Sequence, residues 1–561
     1  MGDGDGGRAR VFCNAAVYTL DPGRPRAEAL AIQDGRVVAV GSLAEARTGA
    51  GPAAEEVDLA GGCVVPGLVD CHVHLLEFGL RLSRVDVSGA RSPAEAAARV
   101  KDAYAGNDGL GGQEGQAGQE GQEGREGPVG QGWVLGGGWD KSQWGGDFPR
   151  REALDAVAGG RPVFLQSKDI HAAWLSSAAL AAAGIDAATA DPPGGRIVRD
   201  PGGAPTGILL EHAVDLVSRA IPRPALPARV AALRRAVKLL HRLGLVGVHS
   251  CEGPETLSAL QALEAAGELR LRVLEHIAAA QLDSALALGL RTGLGGEWLR
   301  IGGVKAFADG ALGSQTAACL QPYAGMGDWR GVTVTPVAEM VCLAERAAAG
   351  GIALAIHAIG DAAVRAALDA VAAARRVENA SDVPGPHGGL GPLRHRVEHI
   401  QLLDPADRGR FKELGVIASM QPAHATSDRD IADRYWGDRC SRAYPWRSLL
   451  ASGARLCFGS DAPVEFPDPR LGLFAAVTRR RPADDAPWYP AERLTFAEAL
   501  AAYTTGAACA AGQKARCGRL QAGMAADFTV FDSDVGVLPP EALLEARVVM
   551  TVVGGEVVYA A

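Results

Sequence analysis

Val64-Val65-Pro66-Gly67-Leu68-Val69-Asp70-Cys71-His72-Val73-His74 is the stretch on which the reading of this 561-residue chain turns. An apolar run ends in Asp-Cys-His-Val-His. Side chains alternate between the faces of a strand, so His72 and His74 point to one side. Two neutral imidazoles at the C-terminal end of a buried strand form half of a site for zinc or a similar ion. The plain alternative for an isolated His-x-His is a pair of structural or surface histidines, because short motifs match by chance.

Further along the chain, apolar runs alternate with Ala/Leu-rich helical segments. After VVPGLVD near 64 come PVFLQS near 162, LGLVGVHS near 243, LRIGGVKAF near 299 and GIALAIH near 351. HRVEHI near 395, GVIASM near 415 and ARLCFGSD near 454 complete a set of eight. Eight βα units predict an α/β fold, a closed parallel (β/α)₈ TIM barrel, and near-continuous apolar runs suit strands covered by helices. His357 closes GIALAIH, His399 closes HRVEHI and Asp461 closes LCFGSD. Each stands where an apolar run stops, which is where barrel enzymes place catalytic groups. Four histidines and an aspartate at four strand ends argue for a metal site.

Lys305 lies inside the apolar run GGVKAFADG. A buried lysine is costly unless paired or neutralised. A salt bridge is one explanation. The other is that its desolvated amine takes up CO₂ as a carbamate, an anionic ligand able to bridge two metals.

The two ends of the chain read differently. AVYTL, ALAIQDGRVVAVG and EEVDLAGGCVVPG, then ADFTVFDSD and RVVMTVVGGEVVYAA, show strands with Asp-Gly and Gly-Gly turns. They predict a composite β-sandwich domain of residues 1–64 and 519–561, around a hydrolase barrel of residues 65–518. Two insertions interrupt the barrel: a low-complexity Gly/Gln/Glu segment at 106–132 and a Gly-rich hairpin at 191–211.

Hydrophobic residues make up 48% and charged residues 22%, with a net charge of -9. This is a globular composition with a large core and without the basic surface of a nucleic-acid binder. No apolar run is long enough to span a bilayer. The N-terminus lacks a signal-peptide pattern, and the ten cysteines are scattered without CxxC pairs. Both point to a reducing, cytoplasmic setting. The partner expected is a small-molecule substrate, with neither nucleic acid nor membrane. A homodimer is compatible with this reading.

The motifs together resemble the amidohydrolase superfamily. GGGWDKSQW (136–144), KDIHAAWLSSAAL (168–180), VKAFADGALGSQTAA (304–318), IHAIGDAAV (356–364), RHRVEHIQ (394–401), SMQPAH (419–424) and FGSDAPV (458–464) are similar to its YtcJ-like branch, amidohydrolase family 3. That branch includes N-substituted formamide deformylases. The resemblance runs from about residue 10 to the C-terminus, apart from the Gly/Gln/Glu insertion. It implies one or two divalent ions, zinc foremost. His72 and His74 would hold the more buried ion, His357 and His399 the other, Lys305 would bridge, and Asp461 would bind metal and the attacking water. His171, in KDIHAAW, is expected either to polarise the scissile carbonyl or to pack and cap. Trp139, Trp144 and Trp174 are candidates for an apolar pocket or for core. Glu211, at the end of the inserted hairpin, is a weaker candidate for a substrate contact.

The activity expected is hydrolysis of a non-peptidic carbon–nitrogen bond in an amide, N-acyl or N-formyl compound. A lactonase or esterase uses the same chemistry. A deaminase is disfavoured because His357 is followed by Ala-Ile-Gly-Asp rather than by an early glutamate, and because Lys305 is present. A non-catalytic relative would have lost ligands that this chain keeps.

Overall fold

The computed structural model describes residues 9–108, 129–130, 132–380 and 392–561. The chain divides into two compact units. One comprises Met1–Leu75, Val237–Ala308 and Thr335–Ala561, and the other Leu76–Ala236 and Asp309–Val334.

The first unit holds an eight-stranded parallel sheet: β1 (Leu68–Val73), β2 (Leu245–Ser250), β3 (Arg272–Ala278), β4 (Leu299–Phe307), β5 (Leu354–Ala358), β6 (Arg396–His399), β7 (Ile417–Met420) and β8 (Arg455–Phe458). Neighbours in sequence order are neighbours in the sheet, from β1 to β8. The segments following β8 and ending β1 then nearly close the ring. Asp461 N donates to His72 O at 2.7 Å and His74 N to Ala462 O at 2.8 Å. Gly459 permits this approach, because a Cβ there would stand 2.5 Å from the His72 nitrogen. The strands are buried almost throughout, as expected of a parallel sheet covered by helices. The helix after β5, Asp361–Ala380, shows why: Ala363, Val364, Ala367, Leu368, Val371 and Ala374 recur at helical spacing and are buried.

Both ends of the chain join one further sheet in this unit. Arg10–Tyr18 lies parallel to Glu55–Pro66, and Phe528–Phe531 adds antiparallel to the latter, with Val530 opposite Val64. Phe12, Leu30, Ile32, Val64, Phe528 and Val530 pack together on it. Its strand Glu55–Pro66 leads through Gly67 into β1, and Asp527 grips Arg272 of β3 through contacts of 2.7 and 2.9 Å.

The second unit carries a mixed sheet. Val163–Ser167 pairs parallel to Trp133–Trp139 and antiparallel to Ala172–Leu175, which leads on to the hairpin Gly195–Arg199 and Pro205–Glu211. Trp139 and Trp174 are buried in its core with Val134, Leu165 and Ile208. Trp144 stacks on Trp139 at 6.0 Å, so the three tryptophans are core rather than pocket.

The structure corrects two strand assignments. PVFLQS near 162 belongs to the second unit's sheet, not to the barrel. LGLVGVHS, expected third, is the second barrel strand β2, and the third place is filled by β3, RVLEHIA, which is not among the eight expected runs. An apolar run reports that a strand is covered on both faces, not which sheet it joins. β3 was obscured because Arg272, Glu275 and His276 interrupt its apolar character. The hairpin at 191–211 accordingly extends the second unit's sheet. Of the Gly/Gln/Glu segment at 106–132, residues 109–128 and 131 lie outside the described residues. Among the described residues no helix is long and apolar enough to cross a membrane.

Candidate active site

The C-terminal ends of the barrel strands bring the predicted residues together. His72 and His74, on and just after β1, lie 3.5 and 3.4 Å from Asp461 Oδ1 through their Nε2 atoms. Lys305 Nζ, from β4, donates to His72 Nε2 at 3.1 Å. The His399 ring, from β6, stands 4.8 Å from that of His72 and 4.4 Å from that of His357 on β5. All six are thus gathered in one cluster at five strand ends. His74 is the most exposed, with 17% of its side chain accessible.

The backbone is bent to achieve this. His399, Ile400 and Asp461 have φ values of 74°, 50° and 63°. Left-handed conformations at non-glycine residues cost on the order of 1–3 kcal/mol each and gather at functional sites. The barrel's hydrogen bonding on either side over-determines them, and the bend aims Asp461 inward.

A charged network holds the cluster from below. Glu398 accepts from His72 Nδ1 at 2.7 Å, and Arg396 clasps both Glu398 carboxylate oxygens. Arg396 also donates to Ser419 Oγ at 2.7 Å and lies 2.8 Å from His249 Nδ1. Burial would raise the Glu398 pKa, but the Arg396 guanidinium and the His72 imidazole drive it well below the carboxylate range. Burial and the nearby Lys305 charge push the His72 imidazole down to about 4, so it is neutral at neutral pH. Burial also opposes ionisation of Asp461, yet His72 and His74 pull its carboxyl below its usual value. Asp70 accepts from the backbone nitrogens of His72 and Ser460, and its burial raises it to about 7.

The donor set fits a divalent metal. Two groups, His72–His74–Asp461 and His399–His424–Asp461, each place three ligand atoms within 4.8 Å of one another. Among the described residues, Asp461 Oδ1, His399 Nδ1 and His424 Nε2 are buried without a hydrogen-bond partner. Orphaned buried polar atoms are rare, and several in one place ask for a bound group. The partner of Lys305 is an imidazole rather than a carboxylate, so the salt-bridge explanation does not describe it.

His171 lies in the second unit, in the turn before Ala172–Leu175. Its Nδ1 is 2.7 Å from Glu211 Oε2, and Glu211 also accepts from Ser314 at 3.0 Å and from Thr316. Asp309, in the same unit, caps the Ala318 nitrogen at 2.8 Å.

Sequence reasoning missed three residues. Arg396 and Glu398 are charges inside a buried strand, the signal that flagged Lys305, and the same rule applied to HRVEHI finds them. His424 follows GVIASM within the quoted SMQPAH, just after β7, and the rule that polar groups at strand ends carry chemistry finds it.

Residues 55–559 match the amidohydrolase family. The chain is 34% identical to the Protein LONG AFTER FAR-RED 3 of Arabidopsis thaliana, over 98% of this chain and 91% of that protein. It is 31% identical to the N-substituted formamide deformylase of Arthrobacter pascens, over 98% of each. An uncharacterized metal-dependent hydrolase of Pyrococcus furiosus superposes with a TM-score of 0.70 at 30% identity, covering 94% of this chain and 99% of that one. Family match, barrel and strand-end cluster agree, and the chain belongs to the amidohydrolase family.

Proposed function

We propose that this amidohydrolase-family enzyme hydrolyses a non-peptidic carbon–nitrogen bond in a small amide or N-acyl compound, N-formyl amides included. The observation that carries the reading is Asp461: buried, its carboxyl below its usual value beside His72 and His74, with Oδ1 lacking a hydrogen-bond partner among the described residues. The formamide deformylase relative supports the bond type, and the metal-dependent hydrolase neighbour supports a metal.

His72, His74, His357, His399 and Asp461 would hold one or two divalent ions, with zinc suited to this nitrogen-rich set. Lys305 joins them as a carbamate, formed when its amine adds CO₂ and releases a proton. A bound ion supplies Lewis acidity, lowering the pKa of water and polarising a carbonyl. Asp461 accepts a proton from the attacking water. It then delivers that proton to the departing nitrogen, since an amide anion is too poor a leaving group. Glu398 fixes the His72 tautomer by accepting a hydrogen bond from Nδ1–H, which leaves the Nε2 lone pair to face the site. We retain His171 as a second catalytic group, its imidazole oriented by Glu211. The setting is read as cytoplasmic and the partner as a small molecule.

The test is a screen of metal-depleted and metal-restored enzyme against small N-formyl and N-acyl amides, with esters and lactones alongside. Amide cleavage that chelation abolishes and zinc, manganese or cobalt restores is expected. Ester or lactone turnover without amide cleavage would move the enzyme to that class, and full activity without metal would overturn the assignment.

A further inference from the structure

We infer that His424 is a metal ligand, completing with His399 and Asp461 a second donor set for a second zinc-class cation. This rests on the metal-dependent reading of the site and goes beyond it, because His424 is absent from the ligand set that the sequence implied.

The geometry is the first argument. His399, His424 and Asp461 offer ligand atoms within 4.8 Å of one another, and all three are buried. Asp461 is common to this set and to His72–His74–Asp461, so one carboxylate stands between two groups of imidazoles.

The second argument is hydrogen bonding. An unpartnered ring nitrogen alone is no site, for His241 and His276 each bury one as well. The three residues of this set, already close by their ligand atoms, each also bury an atom without a partner among the described residues: His424 Nε2, His399 Nδ1 and Asp461 Oδ1. A buried polar atom left unsatisfied bears its desolvation penalty in full. Three from residues clustered this tightly are a large penalty that a cation removes at once.

The third argument is how His424 is held. Its Nδ1 lies 3.3 Å from the Gln401 side-chain nitrogen, while Gln401 Oε1 has no partner among the described residues. A half-turn of that amide presents Oε1 to Nδ1. The imidazole then donates there through Nδ1–H, which leaves a lone pair on the unpartnered Nε2. A ligand histidine held through its other nitrogen is the usual arrangement around a metal, and Glu398 does the same for His72. The His424 ring also stacks nearly parallel to that of His399, at 6.2 Å and 8°, and Pro422 starts the short helix that carries it.

The test is zinc and cobalt(II) titration of metal-depleted full-length enzyme, read by equilibrium dialysis with metal analysis and by the visible cobalt spectrum. Wild type is expected to bind two equivalents. His424→Ala should keep the first and bind the second at least ~10-fold more weakly, with a changed cobalt spectrum. Gln401→Ala should keep both equivalents while weakening the second. His424→Gln, which retains a polar side chain, carries the same test should the alanine variant misfold, with circular dichroism as the check. Two undiminished equivalents and an unchanged spectrum in the His424 variants would overturn the proposal. So would a wild type that binds a single equivalent. A wild type that binds no metal would instead refute the metal-dependent reading beneath it.

Discussion

Glu398 Oε2 lies 2.7 Å from His72 Nδ1, and Arg396 grips the same carboxylate from below. One buried glutamate therefore serves two ends: it neutralises a guanidinium, and it sets which His72 nitrogen faces the site.

Glu398→Gln should weaken metal binding about 10–100-fold, the usual cost of losing a group that orients a ligand. It should also destabilise the fold by about 3–5 kcal/mol, because Arg396 is left as an uncompensated buried charge. Metal titration and denaturant unfolding of the same variant check the two effects. Unchanged affinity would show that His72 is oriented by other contacts.

Asp461→Asn should keep the fold and much of the metal while turnover falls by at least ~10², the lower range for loss of a general base. Single-turnover kinetics on an amide substrate, with metal content measured in parallel, decide it. Near-normal turnover would remove Asp461 from the proton-transfer role.

Lys305→Ala should lose metal, with partial rescue by added short carboxylic acids. In wild type grown with ¹³C-bicarbonate, a carbamate carbon resonance should appear and vanish in the variant. A metal-replete, active enzyme without that resonance would refute the carbamate.

His171→Asn should lower turnover by about 10²-fold if the imidazole handles a proton, with unchanged metal content. Glu211→Gln should shift the pH profile of turnover and leave metal binding alone. Wild-type kinetics in both variants would reduce the pair to packing.

Glu275 of β3 supplies a pH test. Both its oxygens are buried without a partner among the described residues, and burial, aided by the Glu252 charge, raises its pKa well above the usual value. Near pH 4 and below, the folded and unfolded chains both hold this proton, so it costs nothing. As pH rises above ~4.3 the unfolded chain ionises first. The folded chain keeps the proton until its raised pKa, so stability falls across that window. Glu275→Gln should therefore unfold at a higher temperature than wild type at pH 8, by the equivalent of about 1–3 kcal/mol. The two should converge toward pH 4. A constant difference across that range would remove Glu275 as the cause.

The sequence by itself determined the barrel and six members of its polar cluster. Apolar runs ending in His72, His357, His399 and Asp461 are local features. A strand buried between helices must be apolar along its length, and a polar residue at its end stands out. Lys305 was legible for the same reason. Only the tertiary structure decided which runs share a sheet. PVFLQS reads as apolar as a barrel strand because it is equally covered, yet its hydrogen bonds go to Trp133–Trp139. β3 hides in plain text because Glu275 and His276 are polar groups whose burial no local pattern announces. Which strands pair depends on long-range hydrogen bonding, so their identity waits on the fold. The convergence of His424 with His399 and Asp461 belongs to the same class of fact. It follows from where β6, β7 and the segment after β8 end in space, and from left-handed turns at His399 and Asp461 that no residue type at those positions would foretell.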